Sequence, residues 1–135
     1  MANAIYPKLK VAMATGITIN FLVTPIRVLM IDGALYTYDP AHEFLSDIAA
    51  PARVGISLPL AGKTMSLLGA FSSNNARWEG ISGNSVETAG LFFDSGTPSS
   101  SRLIAFYNTG MTGLPITPAG ESFNGIPASG GWLVL

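Results

Sequence analysis

The chain has no cysteine, a single histidine and few charges. Without cysteine there is no disulfide framework and no thiolate metal site, so the fold is held by packing alone and the redox compartment leaves no mark. With His42 as the only imidazole, zinc is disfavoured, because zinc sites draw about three or four protein ligands with His or Cys prominent. Charged residues make up 11% of the 135, against about 25% in ordinary soluble domains, while the apolar share of 48% is normal. The net charge is −1 and the seven basic residues are scattered, which provides no phosphate-binding cluster and argues against nucleic acid. Long hydrophobic runs are missing too. The best stretch, "VAMATGITINFLVTPI" (11–26), is broken by Gly16, Asn20, threonines and Pro25, and falls short of the ~20 apolar residues of a membrane span. It also makes a poor signal peptide, with Lys8 and Lys10 late and Pro7 beside them, so the expectation is a cytoplasm-made, unprocessed chain with no membrane partner.

What is present fits one domain, 1–135, large enough to bury a real core. Thin charge with a positive mean hydropathy predicts that neighbouring chains cover part of the exterior. Residues 7–16, "PKLKVAMATG", begin with Pro and end with Gly, the asymmetry of a helix carrying Pro in its first turn and Gly just past its end. A short N-terminal helical arm over 1–16 is expected. Turn formers then recur at short intervals, and the gaps predict strands at 17–23, 26–32, 34–38, 53–58, 63–70, 76–82, 86–93, 102–108, 114–117, 121–126 and 131–135. That spacing predicts an all-β sandwich or barrel; jelly-roll-like and immunoglobulin-like β-sandwiches share the pattern. "IRVLMID" (26–32) is apolar on both faces, so its strand should be covered on both sides. "SVETAGLFFD" and "SRLIAFYN" should pair as a central hairpin, with Ile104 and Phe106 opposed to Leu103, Ala105 and Tyr107.

The densest polar stretch is "YTYDPAHEFLSDI" (36–48), with Asp39, His42, Glu43 and Asp47. On a helix these acids and His42 fall near one side, a possible divalent-metal arrangement. No second histidine supports zinc, and no glycine lies between Gly33 and Gly55 to make a calcium loop. A capped second short helix near 40–48 explains the letters better: Asp39 as N-cap, Pro40 at the first helical position, and Phe44, Leu45 and Ile48 as the buried stripe. His42 then lies on the outer or flanking side, hydrogen-bonded to a neighbour or facing a partner chain. The strained G-x-S-x-G turn of serine hydrolases is absent, and "GKT" (62–64) lacks the preceding glycine of a phosphate loop. The expectation is no enzyme, no metal and no cofactor. Trp78 and Trp132 read either as core or, if exposed, as interface anchors, Trp78 also as a platform for stacking on a sugar ring.

From "YPKLK" through "RVLMID", "YTYDPAHEFLSDI", "ARV", "LAGKT", a later Phe and Trp, "SRLIAF" and "GLPITPAG", residues 5 to 120, the chain resembles a family of small virion structural proteins of tailed bacteriophages. The end, "NGIPASGGWLVL", departs from the family pattern. The resemblance implies a β-rich capsid decoration, or cement, protein with no catalytic residues, located in the virion on the capsid surface. Its expected partners are the major capsid protein and itself, as a dimer or trimer. A minor tail or adsorption protein is the alternative, and a carbohydrate-binding module using Trp78 is a third. The side chains expected at partner contacts are Tyr6, His42, Glu43, Arg77, Trp78, Trp132, Leu133 and Leu135.

Overall fold

Ile26, Val28 and Met30 point to one face of strand β2 (Ile26–Ile31), Leu29 and Ile31 to the other, and all five are buried. The strand is therefore covered on both faces, as its sequence requires. This is a computed structural model, and it describes residues 4–16, 20–108, 116–120, 123–125 and 132–134. Strand β2 lies inside a five-stranded antiparallel sheet built from β1 (Ala4–Ile5), β3 (Arg53–Ile56), β7 (Thr88–Phe93) and β8 (Leu103–Tyr107), in the order β1-β8-β7-β2-β3. A three-stranded sheet combines β4 (Thr64–Met65), β5 (Ala70–Ser72) and β10 (Leu133–Val134), and a two-stranded ribbon joins β6 (Ala76–Trp78) to β9 (Phe123–Gly125). The protein is mostly β, as the turn spacing predicts.

The two faces of the large sheet bury different residues. One packs Val28, Leu91, Phe93 and Tyr107 under Leu9, Phe21, Phe71, Trp78 and Trp132, which brings helix α1 (Pro7–Ala14) and the smaller sheets onto that side. The other packs Leu29, Ile31, Phe92, Leu103 and Phe106 under Tyr6, Tyr36, Leu45 and Ile48. Each fully buried Leu, Ile or Phe contributes about 1.5–3 kcal/mol relative to exposure, so both faces matter to stability.

The N-terminal helix forms as its Pro and Gly predict, with Pro7 in the first turn and Gly16 at φ +109 after the last. It is no free arm, because Leu9 and Ala12 are buried and Ala4–Ile5 is an edge strand on β8.

The second helix is corrected. Asp39 does cap a turn, accepting the Ala41 N–H at 2.8 Å while its carbonyl accepts from His42 N–H at 3.1 Å, but the chain then extends. Phe44 bridges Arg102; Leu103 N–H donates to the Glu43 carbonyl at 2.9 Å, and Leu45 N–H to the Ser101 carbonyl at 2.8 Å. Pairing along the outer edge of β8 thus replaces the helical bonds of residues 43–45, and only a single 3-10 turn, Leu45–Asp47, follows. Leu45 and Ile48 are still buried, as expected of the stripe.

Four further expectations shift. Leu91 pairs with Ala105 but Phe92 with Leu103, so Ile104 is an extra residue, a β-bulge, and the predicted alternation along β8 breaks there. Ile104 and Ala105 consequently share one core face, while Leu103 and Phe106 share the other. The predicted strand 63–70 is a hairpin, broken by a turn at 66–69. Residues 20–23 and 33–35 form turns where strands 17–23 and 34–38 were predicted, and residues 17–19 lie outside the described residues.

Candidate functional site

A chain of hydroxyl and imidazole groups runs beneath the second face of the large sheet. The turn after β2 aims Tyr36: Asp32 Oδ1 accepts the Ala34 N–H at 2.9 Å, and the Asp32 carbonyl accepts from Leu35 and Tyr36 N–H. The Asp39-Pro40 turn then folds His42 back, placing its ring 5.5 Å from the Tyr36 ring. Tyr36 Oη lies 2.9 Å from His42 Nδ1 and 2.8 Å from Tyr6 Oη. His42 Nε2 lies 3.9 Å from the Asp39 carboxylate. When His42 carries its proton on Nε2, Tyr36 donates to Nδ1 and Tyr6 donates to Tyr36, so every hydroxyl proton in the chain is used.

Around this line sit Tyr38 and Phe106, with ring centroids 5.1 Å from Tyr6 to Tyr38 and 5.4 Å from Tyr38 to Phe106. Burial raises the Tyr6 phenol far above its ordinary pKa, and the bond to Tyr36 adds to the effect. Burial also raises Tyr36 and Tyr38. A phenol held neutral in this way is a donor, and a poor base at any ordinary pH. With Tyr6 fully buried, the network is closed at that end and its hydrogen bonds serve to fix the 36–42 segment on the sheet.

Next to it, Glu43 receives Arg102 at 3.1 Å and Lys8 at 3.8 Å, and the Arg102 guanidinium stands 5.0 Å from the centre of the Phe44 ring. Asp47 Oδ2 accepts the N–H groups of Glu43 and Phe44 at 2.7 and 3.0 Å, and these two bonds hold its carboxyl below the usual carboxylate range. Among the described residues, no group of three or more His, Asp or Glu side chains is placed to hold a metal ion. No helix among them is long and apolar enough to cross a membrane.

The structure therefore brings Tyr6, His42 and Glu43 to one face, though Tyr6 is fully buried and offers its side chain to Tyr36 instead of a partner chain. Arg77 and Trp78 sit together on β6, where strand alternation sends Arg77 out to an ion pair with Glu79 at 3.1 Å and buries Trp78 to 2% exposure. No ring face of Trp78 is left for a sugar. Trp132 and Leu133 are buried against β5: Trp132 N–H donates to the Phe71 carbonyl and Nε1–H to Ser73 Oγ, both at 2.7 Å, and Tyr107 Oη–H donates to the Trp132 carbonyl at 2.6 Å. In the single chain the side chains of Tyr6, Trp78, Trp132 and Leu133 are buried and make their contacts within the chain. Leu135 lies outside the described residues.

A second feature escaped sequence reasoning. Between β4 and β5, Gly69 N–H donates to the Ser66 carbonyl at 3.0 Å and Ser66 N–H to the Ala70 carbonyl at 2.9 Å, with Gly69 at φ +80. That is a three-residue hairpin loop in which glycine takes the left-handed position. Ser66 Oγ also accepts from Leu68 N–H and Ala70 N–H, at 3.2 and 3.1 Å. The loop holds Leu67 fully and Leu68 largely in solvent, and the signal for it was the glycine that ends "SLLG".

Neither the protein-family models nor the curated proteins include a match to this chain.

Proposed function

We propose that the protein is a non-enzymatic structural protein of a tailed-bacteriophage virion, a cement subunit that binds the outer surface of the head and bridges major capsid protein subunits. The order and spacing of the segments between residues 5 and 120 are what suggest the phage. The observation that carries the structural half of the reading is the surface: Val23, Leu67 and Leu68 are exposed on a chain with 11% charged residues. Such an exterior suits a protein whose neighbours cover it. Many weak contacts repeated by capsid symmetry would then hold it by avidity, without one tight site.

The fold reading that accompanies this is a jelly-roll-like sandwich, in which the smaller sheets form the second layer. Its support is the antiparallel pairing of strands distant in sequence, β1 with β8 and β2 with β7, and the packing of residues from the smaller sheets on one face of the large one.

The test is to mix the purified protein with undecorated heads of the phage that encodes it and image them. Coated heads, and hundreds of copies per mature particle, are expected. Bare heads together with a handful of copies per particle would remove the cement reading and favour the tail.

A further inference from the structure

Leu67 is 106% exposed and Leu68 86%, at the apex of a hairpin loop that Ser66 and Gly69 fix by hydrogen bonds. Little of either side chain is covered by the described residues, and the hydrogen bonds fix the backbone that carries them, so little backbone order remains to be imposed when they bind. The turn Asn20–Thr24 lies against the same hairpin: the Phe21 ring is 5.2 Å from the Phe71 ring, and Lys63 Nζ donates to the Thr24 carbonyl at 2.7 Å. This turn adds two more exposed apolar side chains, Leu22 and Val23, the latter 76% exposed.

On these two neighbouring turns the four residues together expose on the order of 500 Å², which compares with the largest apolar patches of lone soluble chains. That area suits the apolar centre of a standard interface, which buries about 800 Å² on each partner. Residues 20–24 and 64–72 contain no Asp, Glu, Lys or Arg, and Lys63 directs its ammonium at Thr24. A two-fold interface sets a patch against its own image, where any charge near the axis meets the same charge; a charge-free apolar patch meets that requirement. A lipid-binding tip would instead carry basic or aromatic residues at its rim, and Phe21, the aromatic of the turn, and Phe71, that of the hairpin, are both buried.

We propose that two copies of this chain pair about a two-fold axis through this patch, Leu67 and Leu68 of each packing on the leucines of the other. The pairing uses the exposed residues on which the assembly reading also rests, but it is a property of the free protein and is tested without a capsid.

Sedimentation of the full chain over a concentration series tests it. The wild type should be a dimer at about 100 μM. The double variant Leu67→Ser, Leu68→Ser should weaken association by roughly thirty-fold or more. Its circular dichroism should be unchanged, and its melting temperature should match that of the wild type at concentrations low enough for both to be monomeric, since both side chains are largely in solvent in the single chain. Leu35→Ser, at an exposed leucine in the turn after β2, should leave the dimer intact. Because the chain has no cysteine, Leu68→Cys should cross-link to itself under mild oxidation in the dimer. A wild type that stays monomeric, a trimer, or a dimer that survives the double substitution overturns the proposal. So does a monomer that binds neutral phosphatidylcholine vesicles through Leu67 and Leu68, which would assign the tip to lipid.

Discussion

The hydroxyls of Tyr6 and Tyr36 meet at 2.8 Å, and it is Tyr36 that passes the connection on to His42. The two are therefore unequal. Tyr36→Phe leaves the buried Tyr6 hydroxyl without this partner and should cost about 1–3 kcal/mol. Tyr6→Phe leaves Tyr36 still bonded to His42 and should cost about 0.5–1.5 kcal/mol. The double variant should lose less than the sum, because the orphaned group is gone. Urea midpoints of the three variants measure this, and equal single losses that simply add would refute the ordering.

Stability should fall as pH rises above about 10. Burial raises the phenols of Tyr6, Tyr36 and Tyr107, so they stay protonated in the folded chain while the unfolded chain ionises. The unfolded state then binds fewer protons, and the slope of stability against pH is negative from the unfolded value upward. Phenolate absorbance should appear together with unfolding for these residues. Replacing Tyr107 with Phe should flatten the decline.

At the acid end Asp47 acts in the opposite sense. Its carboxyl is held below the usual range by the Glu43 and Phe44 N–H groups, so its contribution is present above the unfolded carboxylate value. It is lost as pH falls through the lower, folded value. Asp47→Asn should weaken the acid dependence of the melting temperature, and an unchanged acid limb would show that the two N–H bonds do not persist in solution.

Gly55 on β3 is kept small by Ile81. A Cβ there would stand 2.7 Å from Ile81 Cγ2 and 2.9 Å from its Cδ1. Gly55→Ala should destabilise by about 1–3 kcal/mol through overpacking. Adding Ile81→Ala, which removes the atoms in the way, should recover part of that loss, and a double variant worse than the sum would point to a different cause.

A buried phenol helps to hold the C-terminal strand. Tyr107→Phe removes the donor to the Trp132 carbonyl and should cost about 1–2 kcal/mol. Limited proteolysis should then cut nearer the C-terminus earlier than in the wild type.

Elements whose bonds are local, or whose two faces carry their own pattern, were legible in the sequence. Pro7 and Gly16 announced the helix, "IRVLMID" announced a doubly covered strand, and the loop after Asp94 announced the β7–β8 hairpin. The stretch 40–48 misled because every local signal, from the Asp39 cap to the spacing of Phe44 and Ile48, is compatible with a helix. What overrides it is the free edge of a strand some sixty residues away, with Arg102 ready for Glu43. The Ile104 bulge likewise leaves no trace in composition, since Ile and Ala are both at home on either face. The tyrosine network was half visible: Tyr6 and His42 stood out as residues, while their meeting through Tyr36 depends on two turns acting together.

Strand β8 receives two different early segments along its outer edge, Ala4–Ile5 against Phe106 and Ala105, and Phe44 against Arg102, while β2 waits for β7. Each of these pairings joins residues separated by much of the chain. On the ribosome, the large sheet therefore has only its β2–β3 pair until about residue 93 has emerged, and the N-terminal strand has no place to go until β8 follows. Folding should accordingly wait for β8 and be on the slow side for this length, in the millisecond-to-second range of β-rich domains.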